Sequence, residues 1–348
     1  MSRKLGWRIA LGAVALATGL AFTPLAFADD GVASANDDPS FLQVYDANVE
    51  NLPEAGDTCP GDWQDLVYYM KTQDAAPDLY LIQQLSGSGD QRGDLQYLIA
   101  RMEKEFGQNY DGILAQNNPG KGPQKCAPQK GYQTNGIIFR VDRFEKVKTD
   151  NNTWLAQSKS SGSCRNSDQD RTRGVKIKLR DKLANKTVTA ASVHWPTAAS
   201  DGPPCADVNA KETAKEMTED GYGADQLILG GDMNYTDAGS NGGTDFRSWY
   251  KAMNGDLKGG YGFRDAVYAA CAAASDPNKC RASNWTVGGK SRIDFLMAKT
   301  GAGKMPVIDG VRSPTFDEGD AAALKFEGKD DGKLNYSDHR AVQARVHY

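Results

Sequence analysis

Short apolar runs alternate with polar and glycine-rich stretches along the chain, and the period of each run assigns its element. Compact or alternating apolar runs predict strands over Phe41 to Ala47, Leu79 to Gln83, Gly136 to Arg140, Gly174 to Leu179, Thr187 to His194, Gln226 to Leu229, Arg292 to Met297 and Ala341 to Val346. Apolar residues spaced three and four apart predict helices over Trp63 to Thr72, Asp94 to Phe106, Asp207 to Met217, Phe246 to Met253 and Phe263 to Ala273. The glycine- and asparagine-rich stretches Asn117 to Gly131 and Ala238 to Gly243 read as connections. Sheets packed together with helices outside, an α+β or layered arrangement, accommodate this order of elements.

The polar residues fall at telling places in this pattern. Asn48, Gln84, His194 and Asp232 each close an apolar run, Asp294 lies inside one, and Asp338 and His339 stand just before one. Polar groups at strand ends can meet at one rim of a sheet, where loops form a site on a rigid scaffold. Strand ends are also polar simply because they reach water, and for Asn48 or Gln84 taken alone that is the plainer account.

The N-terminus and the charges narrow the setting. Residues 1–28 read as a removable export signal: Arg3, Lys4 and Arg8 form a charged start, Leu11 to Leu25 is apolar, and Ala26-Phe27-Ala28 offers a small-x-small cleavage site. A membrane anchor is the rival reading, and Pro24 with the Ala-x-Ala end favours cleavage. No other segment approaches the roughly 20 apolar residues of a spanning helix, so a secreted, soluble monomer without stable membrane insertion is expected. Residues 29–40 are expected to be disordered and 41–348 to form one catalytic domain, since no Pro- or Ser-rich linker divides them. The formal charge of −4 becomes more negative once the signal leaves, which argues against a basic protein that coats nucleic acid.

Six cysteines, none spaced like a zinc site or a redox pair, all follow the signal and suggest three disulfides. The short Cys271 to Cys280 loop is the firm pairing. Sequence order offers Cys59 with Cys126 and Cys164 with Cys205 as the next guess.

Six segments carry the chemistry: Asn48-Val49-Glu50-Asn51, Leu81-Ile82-Gln83-Gln84, Ser192-Val193-His194, Gly231-Asp232-Met233-Asn234, Arg292-Ile293-Asp294-Phe295 and Ser337-Asp338-His339. In motif and in chain order they resemble the endonuclease/exonuclease/phosphatase superfamily, over roughly Phe41 to His347. The resemblance implies a four-layer α/β/β/α sandwich of two mostly antiparallel sheets flanked by helices. Hydrolysis of a phosphate ester needs an activated water, a cation to balance phosphoryl charge and a proton donor at the leaving group. The resemblance implies His339 as general base oriented by Asp294, and His194 as general acid or phosphate contact. Asp232 and Asn234 would hold the attacking water or the phosphate. Asn48, Glu50, Gln84 and Asp338 would hold Mg²⁺, with Mn²⁺ or Ca²⁺ as alternatives. Arg171 or Arg173 would contact the substrate phosphate, since a guanidinium binds phosphate in bidentate fashion, and Tyr132 would touch the substrate.

Two departures from the family pattern stand out. Gln84 occupies the place of a metal-binding glutamate, and Glu50, on the same strand face as Asn48, could supply the lost carboxylate. Thr134 falls where the deoxyribonucleases have a glutamate that partners the first histidine, so His194 should be less basic or differently oriented. Three functions remain open: a secreted nuclease acting on phosphodiesters, a phosphatase or phospholipase of the sphingomyelinase type acting on small or lipid phosphoesters, and a binding protein that kept the fold. The expected partner is therefore a phosphoester substrate, with nucleic acid among the candidates.

Overall fold

The computed structural model describes residues 35–49, 67, 70, 76–86, 93–116, 133–157, 164, 170–288, 290–313, 337 and 339–348. In chain order the first half gives β1 (Phe41–Asn48), β2 (Leu79–Ser86), α1 (Gly93–Phe106), β3 (Tyr110–Leu114), β4 (Gln133–Arg140), β5 (Phe144–Lys148), β6 (Thr153–Leu155), β7 (Arg173–Asp181) and β8 (Lys186–His194). The second half gives α2 (Ala198–Glu216), β9 (Gln226–Asp232), α3 (Ser248–Met253), β10 (Arg264–Asp265), α4 (Ala266–Cys271), α5 (Pro277–Ser283), β11 (Asp294–Thr300), β12 (Ile308–Arg312) and β13 (Val342–His347).

The strands form two sheets of the same design. One runs β12-β13-β1-β2-β4-β3 and the other β10-β11-β9-β8-β7-β5, with β6 pairing β7 beside it. Each contains a single parallel pair, β1 with β2 and β8 with β9, and every other pairing is antiparallel.

Alternation along the strands makes these sheets a sandwich. Leu42 and Val44 of β1, Leu79 and Leu81 of β2, and Ile137 and Phe139 of β4 face Val188 and Ala190 of β8, Ile228 of β9 and Leu296 of β11 in one buried core. The opposite faces bury Tyr80 and Ile82 against Leu95, Leu98 and Met102 of α1, and Leu229 and Phe295 against Ala206 and Ala210 of α2 and Trp249 of α3. Two mostly antiparallel sheets flanked by helices are the expected layers. Among the described residues no helix is long and apolar enough to cross a membrane.

Several boundaries differ from the sequence expectation. Ahead of Phe41 the Asn36 side-chain amide donates to Asp78 Oδ2 at 2.6 Å and the Asn36 carbonyl accepts from Arg140 at 2.8 Å. Helix α2 starts at Ala198 rather than Asp207, running through Gly202, Pro203 and Pro204. Asp265 pairs with β11 and caps α4 by accepting from Val267 N, so that helix opens at Ala266, after Phe263. Strands β5 and β12 escaped the pattern because edge strands bury few residues, as in Phe144–Lys148, where only Phe144 is buried, while β3 alternates over only five residues. Of the expected helix over Trp63 to Thr72, Val67 and Met70 are helical and buried, and the rest lies outside the described residues. Cys271 bonds Cys280 and Cys164 bonds Cys205, as expected, while Cys59 and Cys126 lie outside the described residues.

Candidate active site

Strand register lines up the site. In the second sheet His194 lies opposite Asp232 in the parallel β8–β9 pair, and Asp232 lies opposite Asp294 in the antiparallel β9–β11 pair. On the facing sheet Asn48 lies opposite Gln83 in the β1–β2 pair. Alternation carries the inner faces from Val44 through Asp46 to Asn48, and from Ala190 through Ser192 to His194. The sandwich interior thus turns from apolar to polar toward one end, where the two sheets face each other with carboxylates, amides and an imidazole.

His339, on the segment before β13, reaches this row. Its Nδ1 lies 2.9 Å from Asp294 Oδ2 and 3.1 Å from Oδ1, and its Nε2 lies 4.0 Å from Asp232 Oδ2. Ser337 holds the segment in place, its hydroxyl donating to the Asn48 carbonyl at 2.6 Å and accepting from His339 N at 3.1 Å. Thr286 fixes the other side by accepting from the Ile293 and Asp294 amides at 3.0 and 3.1 Å.

Asp232 is the hub. Its Oδ2 accepts from Asn48 Nδ2 at 2.9 Å, and its Oδ1 accepts from the Asn234 amide at 2.8 Å. Burial and then the Asp294 charge push its pKa above the ordinary carboxylate value, while His194 and His339 oppose them. Asn234 adopts φ 54°, a left-handed conformation that asparagine tolerates, and its side chain donates to the Trp195 carbonyl at 2.7 Å.

His194 is 1 % exposed, and its Nε2 lies 3.5 Å from Asp232 Oδ2. Burial, reinforced by the charges of Arg171 and His339 against that of Asp232, lowers its pKa to about 4. A hydrogen bond to the Arg171 backbone works in the opposite direction and is outweighed. The imidazole is therefore neutral near pH 7. This agrees with the expected loss of basicity, but the reason differs from the one expected. The Thr134 hydroxyl accepts from Gln116 N, beside β3 of the first sheet. The neighbour Asn135 faces the second sheet instead, donating to the Arg171 and Arg173 carbonyls at 3.1 and 2.8 Å.

Arg171, buried to 6 % exposure in the turn before β7, bears on both His194 and Asp232 through its charge. Arg173 opens β7, two residues before the Val175 that pairs with Ser192, and is only partly buried. Gln84 sits at the bulge between Ile82 and Leu85 with φ 58°, partly buried, a strained backbone of the kind that re-aims a side chain at a sheet end. Glu50, Tyr132 and Asp338 lie outside the described residues.

Sequence reasoning missed the groups beneath and behind this row. Gln83 Nε2 donates to Asp46 Oδ1 at 2.8 Å and to Ser192 Oγ at 3.0 Å, all fully buried. Arg292, fully buried behind Asp294, donates to Asp265 at 2.7 Å and to Asp237 at 2.6 Å, and so ties the loop after Asn234 to β11. A polar residue inside an otherwise apolar strand was the available signal for Gln83, whereas Arg292 lies just before β11.

Asp232, Asp294 and His339 offer ligand atoms within 4.8 Å of one another, and such a group can hold a metal ion. Two of the three donors are carboxylates, the oxygen ligands a hard cation takes; burial, and after it the Asp294 charge, raises the pKa of both Asp232 and the buried Asp46. Asn48 gives its amide nitrogen to Asp232, which ties the first sheet to this cluster.

Two facing, mostly antiparallel sheets flanked by helices are the fold of the endonuclease/exonuclease/phosphatase structures. A Bacteroides vulgatus protein of that description matches at TM-score 0.53 and 16% identity, over 88% of this chain and 98% of that one. A Bacteroides thetaiotaomicron mannosyl-6-phosphatase matches at TM-score 0.53 and 16% identity, over 88% and 100%. D. rerio TDP2 complexed with a single-strand DNA product matches at TM-score 0.54 and 13% identity, over 89% and 100%. No family model matches the sequence, and no curated protein matches it. At these identities the likeness speaks for the fold alone.

Proposed function

We propose that the protein is an exported, metal-dependent phosphodiesterase of nuclease-like chemistry. The observation that carries this is the imidazole of His339, held at Nδ1 by both oxygens of Asp294 with Nε2 4.0 Å from Asp232 Oδ2. One water at an ordinary bond length of about 2.8 Å from each can occupy that gap. Asp294 holds the proton on Nδ1, so that Nε2 is the nitrogen that takes one from the water as it attacks phosphorus. Asp232, fixed by Asn48 and Asn234, orients the same water. As the water oxygen bonds to phosphorus, the P–O bond to the leaving alcohol breaks and the leaving oxygen takes its proton from solvent. His194, neutral, donates a hydrogen bond to a phosphoryl or leaving oxygen, and Arg171 and Arg173 add positive charge.

Mg²⁺, or Mn²⁺ or Ca²⁺ in its place, would balance charge on the phosphoryl oxygens, held by Asn48 and Gln84 with Glu50 and Asp338. Six cysteines behind an export-type N-terminus, two pairs of them bonded, support an oxidising location. The test compares plasmid DNA, RNA, sphingomyelin and small phosphomonoesters, each with Mg²⁺ and with chelator, for wild type and His339→Ala. Hydrolysis of DNA or RNA that needs both the metal and His339 is the expected result. Preference for sphingomyelin or a phosphomonoester replaces the nuclease-like reading, and no hydrolysis of any of them leaves a binding protein.

A further inference from the structure

One step beneath the reacting row, polar groups join the two sheets. Asp46 stands two residues before Asn48, Ser192 two before His194, and Gly230 two before Asp232, so all three lie on the inner faces. Gln83 of β2 donates from one amide nitrogen to Asp46 of β1 at 2.8 Å and to Ser192 of β8 at 3.0 Å. Ser192 returns a bond across the interface to the Ile82 carbonyl at 2.7 Å. The sheets come close here because Gly230 has no side chain: a Cβ there would stand 2.5 Å from Asp46 Oδ1 and 2.6 Å from Leu81 Cδ1.

Stability alone gives no reason for this arrangement. Asp46, Gln83 and Ser192 are fully buried, and Asp46 Oδ2 and Gln83 Oε1 have no hydrogen-bond partner among the described residues. Burying such groups is costly, and aliphatic side chains of similar volume would pack the same layer at least as well. What directional bonds add is a fixed offset between surfaces that apolar contacts would let slide. The offset matters because the sheets carry different parts of the site. Asn48 and Gln84 belong to one sheet, and His194, Asp232 and Asp294 to the other. A direct bond between the two sets is Asn48 Nδ2 to Asp232 Oδ2, at 2.9 Å.

We propose that the Asp46–Gln83–Ser192 bridge is a positioning device that sets the offset between the two halves of the site. None of the three touches the reacting atoms. The inference rests on the proposed hydrolytic function for its kinetic consequence, but its structural consequence can be read without any activity.

The experiment takes Gln83→Leu, Ser192→Ala and the double variant of the whole protein, with Val307→Ala as an exposed control. The first reading is the side-chain amide resonances of Asn48 by NMR, in wild type shifted and protected from exchange by the bond to Asp232. Loss of that protection in both single variants, with folded spectra elsewhere and an unaffected control, is expected. The second is kcat and KM on a phosphodiester with saturating Mg²⁺. A small misplacement of reacting groups costs about a hundredfold, so kcat should fall by ten- to a hundredfold with KM nearly unchanged. The double variant should be no worse than the poorer single one, since the bridge acts as a unit. An Asn48 signal that stays protected in the folded single variants overturns the inference, as does a kcat within twofold of wild type. Where Gln83→Leu fails to fold, Ser192→Ala decides alone. A wild-type protein without hydrolysis removes the proposed function, and the Asn48 signal still judges the bridge.

Discussion

Asp294 and Asp232 face each other across the β9–β11 pairing, yet only Asp294 bonds the His339 imidazole, at 2.9 Å, while Asp232 stands 4.0 Å from its other nitrogen. In the proposed mechanism the neighbouring carboxylates therefore take different parts: one orients the imidazole and the other faces the water. Asp294→Asn keeps the shape but removes the charge that steadies a protonated imidazole, and kcat should fall by about two to four orders of magnitude. His339→Ala should cost at least about a hundredfold. Initial rates on a phosphodiester at saturating Mg²⁺ check both, with circular dichroism to establish folding. A tenfold loss or less for His339→Ala would remove it as the base.

The depressed pKa of His194 has a sign that can be measured. With a native value of about 4 against 6.5 for the free side chain, the unfolded state holds the extra proton between those pH values. The resulting stability is fully present above about pH 6.5, is lost as pH falls toward 4, and amounts to roughly 3 kcal/mol. In nitrogen-detected NMR the His194 ring should stay neutral at pH 5.5. Replacing His194 with Gln should flatten the acid side of the stability curve in urea titrations between pH 4 and 7. An imidazole that titrates near 6.5 would return His194 to the role of general acid.

Arg292 carries the loop after Asn234 through two buried carboxylates, Asp237 at 2.6 Å and Asp265 at 2.7 Å. Their attraction holds its pKa well above the ordinary arginine value despite burial. Arg292→Met leaves both carboxylates buried without a counter-charge, which should destabilise the protein by about 3–5 kcal/mol. Thermal melts should show a fall of several degrees. Adding Asp237→Asn and Asp265→Asn should recover a good part of it, whereas a simple packing defect would not be relieved.

The strands that build the site were legible because their apolar runs end in a polar residue, as Gln226 to Leu229 runs on to Asp232 and Thr187 to His194 closes on the histidine itself. Their register was not. Nothing local says that His194 stands opposite Asp232, or that His339 meets a carboxylate 45 positions earlier. The Gln83 bridge stayed hidden for the same reason, with Ser192 lying 109 positions away. Thr134 illustrates the cost of a single step: its neighbour Asn135 has the inward-facing side chain, and in a strand one residue changes the face. Edge strands such as β12 bury too little to leave an alternating pattern.

Gln84 is the position where one atom changes the metal chemistry. It stands at a bulge with φ 58°, at the end of β2, in the sheet that also carries Asn48. An amide oxygen there can ligate a hard cation but adds no charge, and affinity for such ions follows the number of charged ligands. Gln84→Glu should therefore lower the Mg²⁺ concentration for half-maximal hydrolysis by about tenfold, within the range typical for groups that tune a metal site. The maximal rate should change little, because the groups that activate water remain His339, Asp294 and Asp232. Rates measured from micromolar to millimolar Mg²⁺ for both proteins decide the matter. A metal requirement that stays the same would mean that Gln84 is not a ligand and that Asn48, Glu50 and Asp338 hold the ion without it.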